Sequence, residues 1–245
     1  MKIISLVPSI SELLIDLNLD NDLIGVTKYC THPIDLRDNK EIIGGTKTLN
    51  LEKIKSLNAD LIIANKEENQ KEQIEELQKN ENVWVTDIRN LEDNLKFIEE
   101  VGIRCNCTKE SNGLIHQIKT EWQSVSNLFS GERVLYFIWR KPYMTIGENT
   151  FITSILSELG FEVISKSLEG NYPEISPEWI SQQKLDYILL SSEPYAFQEK
   201  HKSEFKAMNK HCAIQLIDGE MCSWYGSRML LAPKYFLQFK HFITS

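Results

Sequence analysis

Short apolar runs alternate along this chain with longer stretches in which apolar residues recur every three or four positions. The first pattern predicts strands and the second amphipathic helices. In the first half, strands are expected at residues 3–7, 23–26, 61–64 and 83–86, and helices at 9–17, 51–57, 70–78 and 91–101. A second cycle opens with a strand at 133–138 and adds strands at 162–164, 187–190 and 214–217, interleaved with helices at 151–159, 177–182, 200–208 and 228–239. Strand and helix in turn specify parallel sheets with crossover helices, so the predicted fold class is α/β, with two Rossmann-like lobes.

Between the cycles, Leu114, Ile115, Ile118, Trp122 and Val125 share one helical face. The expected organisation is an N-terminal α/β lobe over 1–106, a single long backbone helix over 107–130 and a C-terminal α/β lobe over 131–245. A helix is a stiff connector, although Gly113 weakens it by about 1 kcal/mol in an interior position. Helix starts are marked by Asn50 and by Ser9, which has Glu12 three residues on as in a capping box. The loops before those caps then lie at the carboxyl ends of strands, the face on which open α/β sheets bind ligands.

The 245 residues, 42% of them hydrophobic and 25% charged, can bury one large core or two moderate ones. A net charge of -8 with no basic stripe argues against a nucleic-acid surface. Five cysteines in a chain of this size read as reduced thiols, and Cys105-Asn106-Cys107 is too tight for a structural zinc pair. The five histidines lack metal-hydrolase spacing, so no protein-held metal is expected. The apolar run at 3–7 is too short for a signal core or a membrane span. With no lipid-attachment cysteine near it, the sequence as written predicts a cytoplasmic protein, or an extracytoplasmic one if an export segment has been removed.

Candidate chemistry concentrates in Ile138-Trp139-Arg140-Lys141-Pro142-Tyr143 and Ser223-Trp224-Tyr225-Gly226-Ser227-Arg228. Flat rings beside guanidinium groups, where chain leaves a strand, suggest a ligand wall in which Trp139, Tyr143, Trp224 and Tyr225 supply faces and Arg140 and Arg228 orient polar groups. The plainer alternative is core packing for Trp139 and Trp224. First-lobe loops add Pro8, Ser9, Tyr29, His32, Lys47, Lys66, Glu67 and Arg89, and the second lobe adds Glu193 and Tyr195. Gly44-Gly45 lacks the rest of a nucleotide-binding loop, and no nucleophile elbow is present. Three readings stand open on these residues: passive capture of a ligand, a ligand sensor, and an enzyme with His32, Glu67, Arg140 and Glu193 facing one cleft.

The opening Ile3-Ile4-Ser5-Leu6-Val7-Pro8-Ser9-Ile10-Ser11-Glu12-Leu13-Leu14, then Gly44-Gly45-Thr46, Asn50-Leu51-Glu52-Lys53-Ile54, Ala59-Asp60-Leu61-Ile62, Thr145-Ile146-Gly147, Pro173-Glu174-Ile175-Ser176 and Asp186-Tyr187-Ile188-Leu189-Leu190 occur in the order of a known family. The chain resembles the substrate-binding proteins of ABC importers for vitamin B12 and iron complexes, the helical backbone metal receptors, and within them the cobalamin-binding-like members. That resemblance implies two lobes with a ligand cleft between them and no catalysis. It implies a cobalamin-like ligand or an iron chelate such as a ferric siderophore or haem, and no covalently bound cofactor. It further implies a monomer that meets an ABC permease, if exported, through one glutamate per lobe: Glu68 in the first, and Glu193 or Glu199 in the second.

Overall fold

Every strand expected from the apolar runs is present in the computed structural model, which describes residues 1–244, and the strands of each half pair in parallel. The chain divides into two compact α/β units. The first comprises residues 1–88, 92–118 and 225–228, and the second 89–91, 119–224 and the residues from 229 onward.

The first unit begins with β1 (Ile3–Ser5), α1 (Pro8–Asp16), β2 (Leu23–Val26) and β3 (Glu41–Ile42). The hairpin β4 (Gly44–Gly45) and β5 (Thr48–Leu49) follows, then α2 (Leu51–Ser56), β6 (Leu61–Asn65), α3 (Lys71–Gln78) and β7 (Val83–Thr86). The main sheet runs β3-β2-β1-β6-β7. Ile4, Leu6, Ile43, Ile54, Ile62, Ala64 and Leu77 form a buried cluster in this unit. Each large aliphatic side chain among them contributes about 1.5–3 kcal/mol relative to exposure.

Asn50 caps α2 as expected, its side chain accepting the Lys53 N–H at 3.0 Å. The capping box expected at Ser9 does not form. Val7 is the N-cap and Pro8 takes the first helical position, where its fixed φ suits the helix and its missing N–H is no loss. Ser9 and Glu12 are therefore buried inside α1.

Two long helices follow, α4 (Leu91–Arg104) and α5 (Thr108–Gln123). Between them Asn106 has φ +56°, a left-handed conformation that asparagine tolerates and that ends α4. α5 is the connecting helix: Leu114, Ile118 and Trp122 are buried at intervals of four, and the chain passes from one unit to the other along it. In the second unit the Trp122 indole N–H donates to the Met229 carbonyl at 2.7 Å.

The second unit contains β8 (Arg133–Trp139), β9 (Met144–Thr145), α6 (Phe151–Glu158), β10 (Glu162–Val163), α7 (Pro177–Gln182), β11 (Tyr187–Ser191), α8 (Glu199–Met208), β12 (Ala213–Ile217), α9 (Gly219–Ser223) and α10 (Ala232–Thr244). Its parallel order is β10-β8-β11-β12, with β9 antiparallel to β8. Thr150 and Ser176 cap α6 and α7. The helix expected over 228–239 is interrupted: residues 226–230 form a tight 3-10 turn, and α10 starts at Ala232 with Pro233 in its first turn. α9, at five residues, is too short for periodicity to reveal. All five cysteines are free and buried. Among the described residues, no helix is long and apolar enough to cross a membrane.

Candidate functional site

In each sheet the strand order reverses once. In the first, β1 connects to β2 on one side while β6 lies on its other side; in the second, β8 connects to β10 on one side while β11 lies on the other. Loops leaving the carboxyl ends of the two strands at such a reversal diverge and leave room for a ligand. The loops concerned are 6–9 and 66–70 in the first unit, and 140–143 and 192–198 in the second.

Two asparagines hold the first unit's loops. Asn65, the last residue of β6, accepts the N–H groups of Glu67 (2.9 Å) and Glu68 (3.2 Å) on Oδ1 and donates to Thr86 Oγ1 at 3.2 Å. Asn69 accepts the Asn65 N–H at 2.8 Å and donates to the carbonyls of Leu6 and Thr46, both at 3.1 Å. The loops after β1, β4, β6 and β7 are thereby fastened to one another. Lys47 donates to the Glu67 carbonyl at 2.5 Å, and exposed Lys66 pairs with Asp87 at 3.2 Å. Burial raises the Glu68 carboxyl above its ordinary value against the opposing charge of Lys47. Pro8 and His32 are half-buried, whereas Tyr29 is exposed with the Lys28 ammonium 5.1 Å from its ring centroid. Arg89 is exposed and belongs to the second unit.

Residues 225–228 lie in the first unit and have structural work there. Gly226, at φ +83°, donates to Asn94 Oδ1 at 2.6 Å and accepts from Asn94 Nδ2 at 3.3 Å. A Cβ at that position would meet the Ser9 carbonyl and Leu13 at 3.1 Å. Arg228, 5% exposed, reaches Glu12 with Nη2 at 2.6 Å and Nε at 3.0 Å. Burial nevertheless outweighs the guanidinium and keeps the Glu12 carboxyl above its ordinary value. Tyr225, 5% exposed, packs edge-on to Phe97 with ring centroids 6.2 Å apart. The expected ring face at Tyr225 and free guanidinium at Arg228 are thus replaced by packing and an internal ion pair.

In the second unit the chain brings together four of the predicted residues, Trp139, Arg140, Tyr143 and Tyr195. Trp139 ends β8 with 39% of its surface exposed, and its ring meets Tyr195 edge-on at 5.7 Å. Tyr195 packs on Phe197, and its hydroxyl lies 3.4 Å from His201 Nε2. His201 Nδ1 accepts the Gln198 N–H at 2.9 Å, so the neutral ring carries its proton on Nε2. Arg140 donates twice to Glu204 Oε2, from Nη2 at 2.6 Å and from Nε at 3.0 Å, and Tyr143 donates to the other carboxylate oxygen. Burial pushes the Tyr143 hydroxyl up to about 12, with Glu204 adding to it. Burial alone would raise the Glu204 carboxyl, but the bonds from Arg140 and Tyr143 win and hold it below its ordinary value.

Glu193 accepts from the Trp224 indole at 2.9 Å and from Ser223 Oγ at 2.8 Å. Trp224 is therefore only 8% exposed, and the ring face expected there is covered. Glu199 lies exposed in the first turn of α8. Asn65, Asn69, His201 and Glu204 are not among the site residues that the sequence singles out, although the two asparagines bound a polar first-lobe loop. An asparagine closing an apolar run and another four residues later was the available signal for the first pair; nothing in the sequence links Glu204 to Arg140, 64 residues away.

The family described as periplasmic binding protein matches this sequence over residues 3–211. The chain belongs to the periplasmic binding protein family. It is similar to an uncharacterized ABC transporter substrate-binding lipoprotein, YvrC, of Bacillus subtilis (strain 168), 22% identical across 94% of this chain and 76% of that protein. In fold it is similar to the periplasmic vitamin B12 binding protein BtuF of Vibrio cholerae, with TM-score 0.79, 21% identity and coverage of 100% of this chain and 98% of that one. The periplasmic heme-binding protein RhuT from Roseiflexus sp. RS-1 is similar at TM-score 0.80 and 19% identity, over 97% of this chain and 96% of the other.

Membership makes the chain a solute-binding protein, so the enzyme reading falls. For a protein of this type the implied partner is an ABC permease. The cytoplasmic placement expected from the sequence is corrected: the family to which the chain belongs, and its fold relatives, are periplasmic binding proteins. The first residues of the sequence carry no weight against that.

Proposed function

We propose that this periplasmic binding protein captures a metal-containing organic complex of the cobalamin or haem kind and delivers it to an ABC permease. The observation that carries the reading is the exposed Trp139 indole, set edge-on to Tyr195 where the second sheet reverses. A broad apolar ring face beside hydrogen-bonding groups suits a flat macrocycle. In this reading the metal is the one carried within the ligand's own chelate. In the first unit the loops around Pro8, Tyr29, His32, Lys47, Lys66 and Glu67 supply polar contacts.

Lobes at 1–106 and 131–245, with 107–130 as a stiff connector, form the functional division of a monomer. Glu68 and Glu199 meet the permease, since the Glu193 carboxylate is engaged by Trp224 and Ser223.

Fluorescence titration with cyanocobalamin and with haemin tests the reading. Trp139→Ala should weaken binding of whichever complex the wild-type protein takes by about ten- to a hundredfold, the range expected for losing one aromatic face. Binding of neither probe by the wild-type protein would sink it.

A further inference from the structure

Resting on that reading, we infer that Glu204 is a specificity-determining residue: by neutralising Arg140 it tunes the second unit's ligand face toward complexes edged with neutral amide groups and away from complexes edged with carboxylates. An arginine beside an exposed indole would by itself be a strong receptor for a carboxylate. Here that role is filled from within the protein. Glu204 takes two donors of Arg140 on one oxygen and the Tyr143 hydroxyl on the other, so the guanidinium already has its counter-charge.

The surrounding charges do not restore a carboxylate receptor. His201 is held neutral, because burial lowers its affinity for a proton and Arg140 and Lys200 lower it further. Lys141 and Lys200 are exposed, where water and salt weaken their pull. A ligand carboxylate reaching Arg140 would displace or crowd the Glu204 carboxylate, and like charges in contact oppose binding. A ligand amide meets no such opposition and can share the hydrogen-bonding edge that Arg140 and the Tyr195 hydroxyl, themselves in contact, present. Cobalamin carries a rim of amides and haem two propionates, so the two probes differ in the property that the pair reads.

The experiment measures Kd for cyanocobalamin and for haemin on the wild-type protein, Glu204→Gln and the double variant Arg140→Met/Glu204→Gln, with melting curves to confirm folding. The wild-type protein should prefer cyanocobalamin. Glu204→Gln frees the positive charge and should shift the ratio of affinities toward haemin on the order of tenfold. The double variant removes both charges and should bring the ratio back toward wild type, which a purely structural role for Glu204 would not do. A wild-type preference for haemin, or a ratio unmoved by Glu204→Gln in a folded protein, overturns the inference while leaving metal-complex capture intact. If Glu204→Gln does not fold, the double variant decides, since a haemin-shifted ratio there overturns the inference and an unshifted one supports it. No binding of either probe by the wild-type protein removes the functional reading itself, and the role of Glu204 with it.

Discussion

Arg228 shows how a residue's chemistry is decided by what it is buried with. Its guanidinium and the Glu12 carboxylate are both almost wholly removed from water, and desolvation cancels much of their attraction. Arg228→Met should therefore cost about 3 kcal/mol in urea denaturation, because it strands a buried carboxylate. Glu12→Leu combined with Arg228→Met should recover most of that loss. Equal destabilisation in the single and double variants would show that Arg228 acts through its packing alone.

Burial has raised the proton affinity of the Glu68 carboxyl as it has that of Glu12, here against the charge of Lys47. The sign follows from linkage: the native state holds the proton more tightly than the unfolded chain, so stability falls as pH rises above the ordinary carboxyl value of 4.5. Glu68→Gln should raise the melting temperature at pH 7, and the gain should vanish below about pH 4, where both states are protonated. A permease-docking role makes the same substitution weaken transport, so stability and function should move in opposite directions.

At the scale of elements, α5 was legible because its apolar residues repeat at helical intervals along a segment longer than any strand. Gly113 lies inside it, and a methyl group placed there would have open space, with nothing within 4 Å. Gly113→Ala should stabilise the protein by about 0.5–1 kcal/mol through helix propensity alone, read as a higher urea midpoint at unchanged slope. α1 starts earlier than expected: Ser9 and Glu12 have capping-box spacing, but Pro8 has already opened the helix. α9 and the turn at 226–230 escaped because elements of five residues carry no period.

For the whole molecule, ligand and stability are linked. A complex that binds only the native state should stabilise it by about 2.7 kcal/mol when present at a hundred times its Kd, and the melting temperature should climb with ligand concentration. Trp139→Ala should need correspondingly more ligand for the same shift. A melting temperature indifferent to cyanocobalamin and haemin at all concentrations would contradict capture of either.

The sequence by itself determined the alternation of strands and helices, the parallel α/β class, the connecting helix and the positions where loops leave the sheets, because these depend on local periodicity and on punctuation by proline, glycine and asparagine. It also marked Trp139, Arg140 and Tyr143, together with Trp224, Tyr225 and Arg228, as residues worth attention. Only the tertiary structure decided which of the marked residues face solvent and which are consumed internally. Trp224 went to Glu193, Arg228 to Glu12 and Arg140 to Glu204, pairings between residues 31 to 216 positions apart. Partners so distant are chosen by how the strands are ordered in each sheet, and no local pattern along the chain records that order.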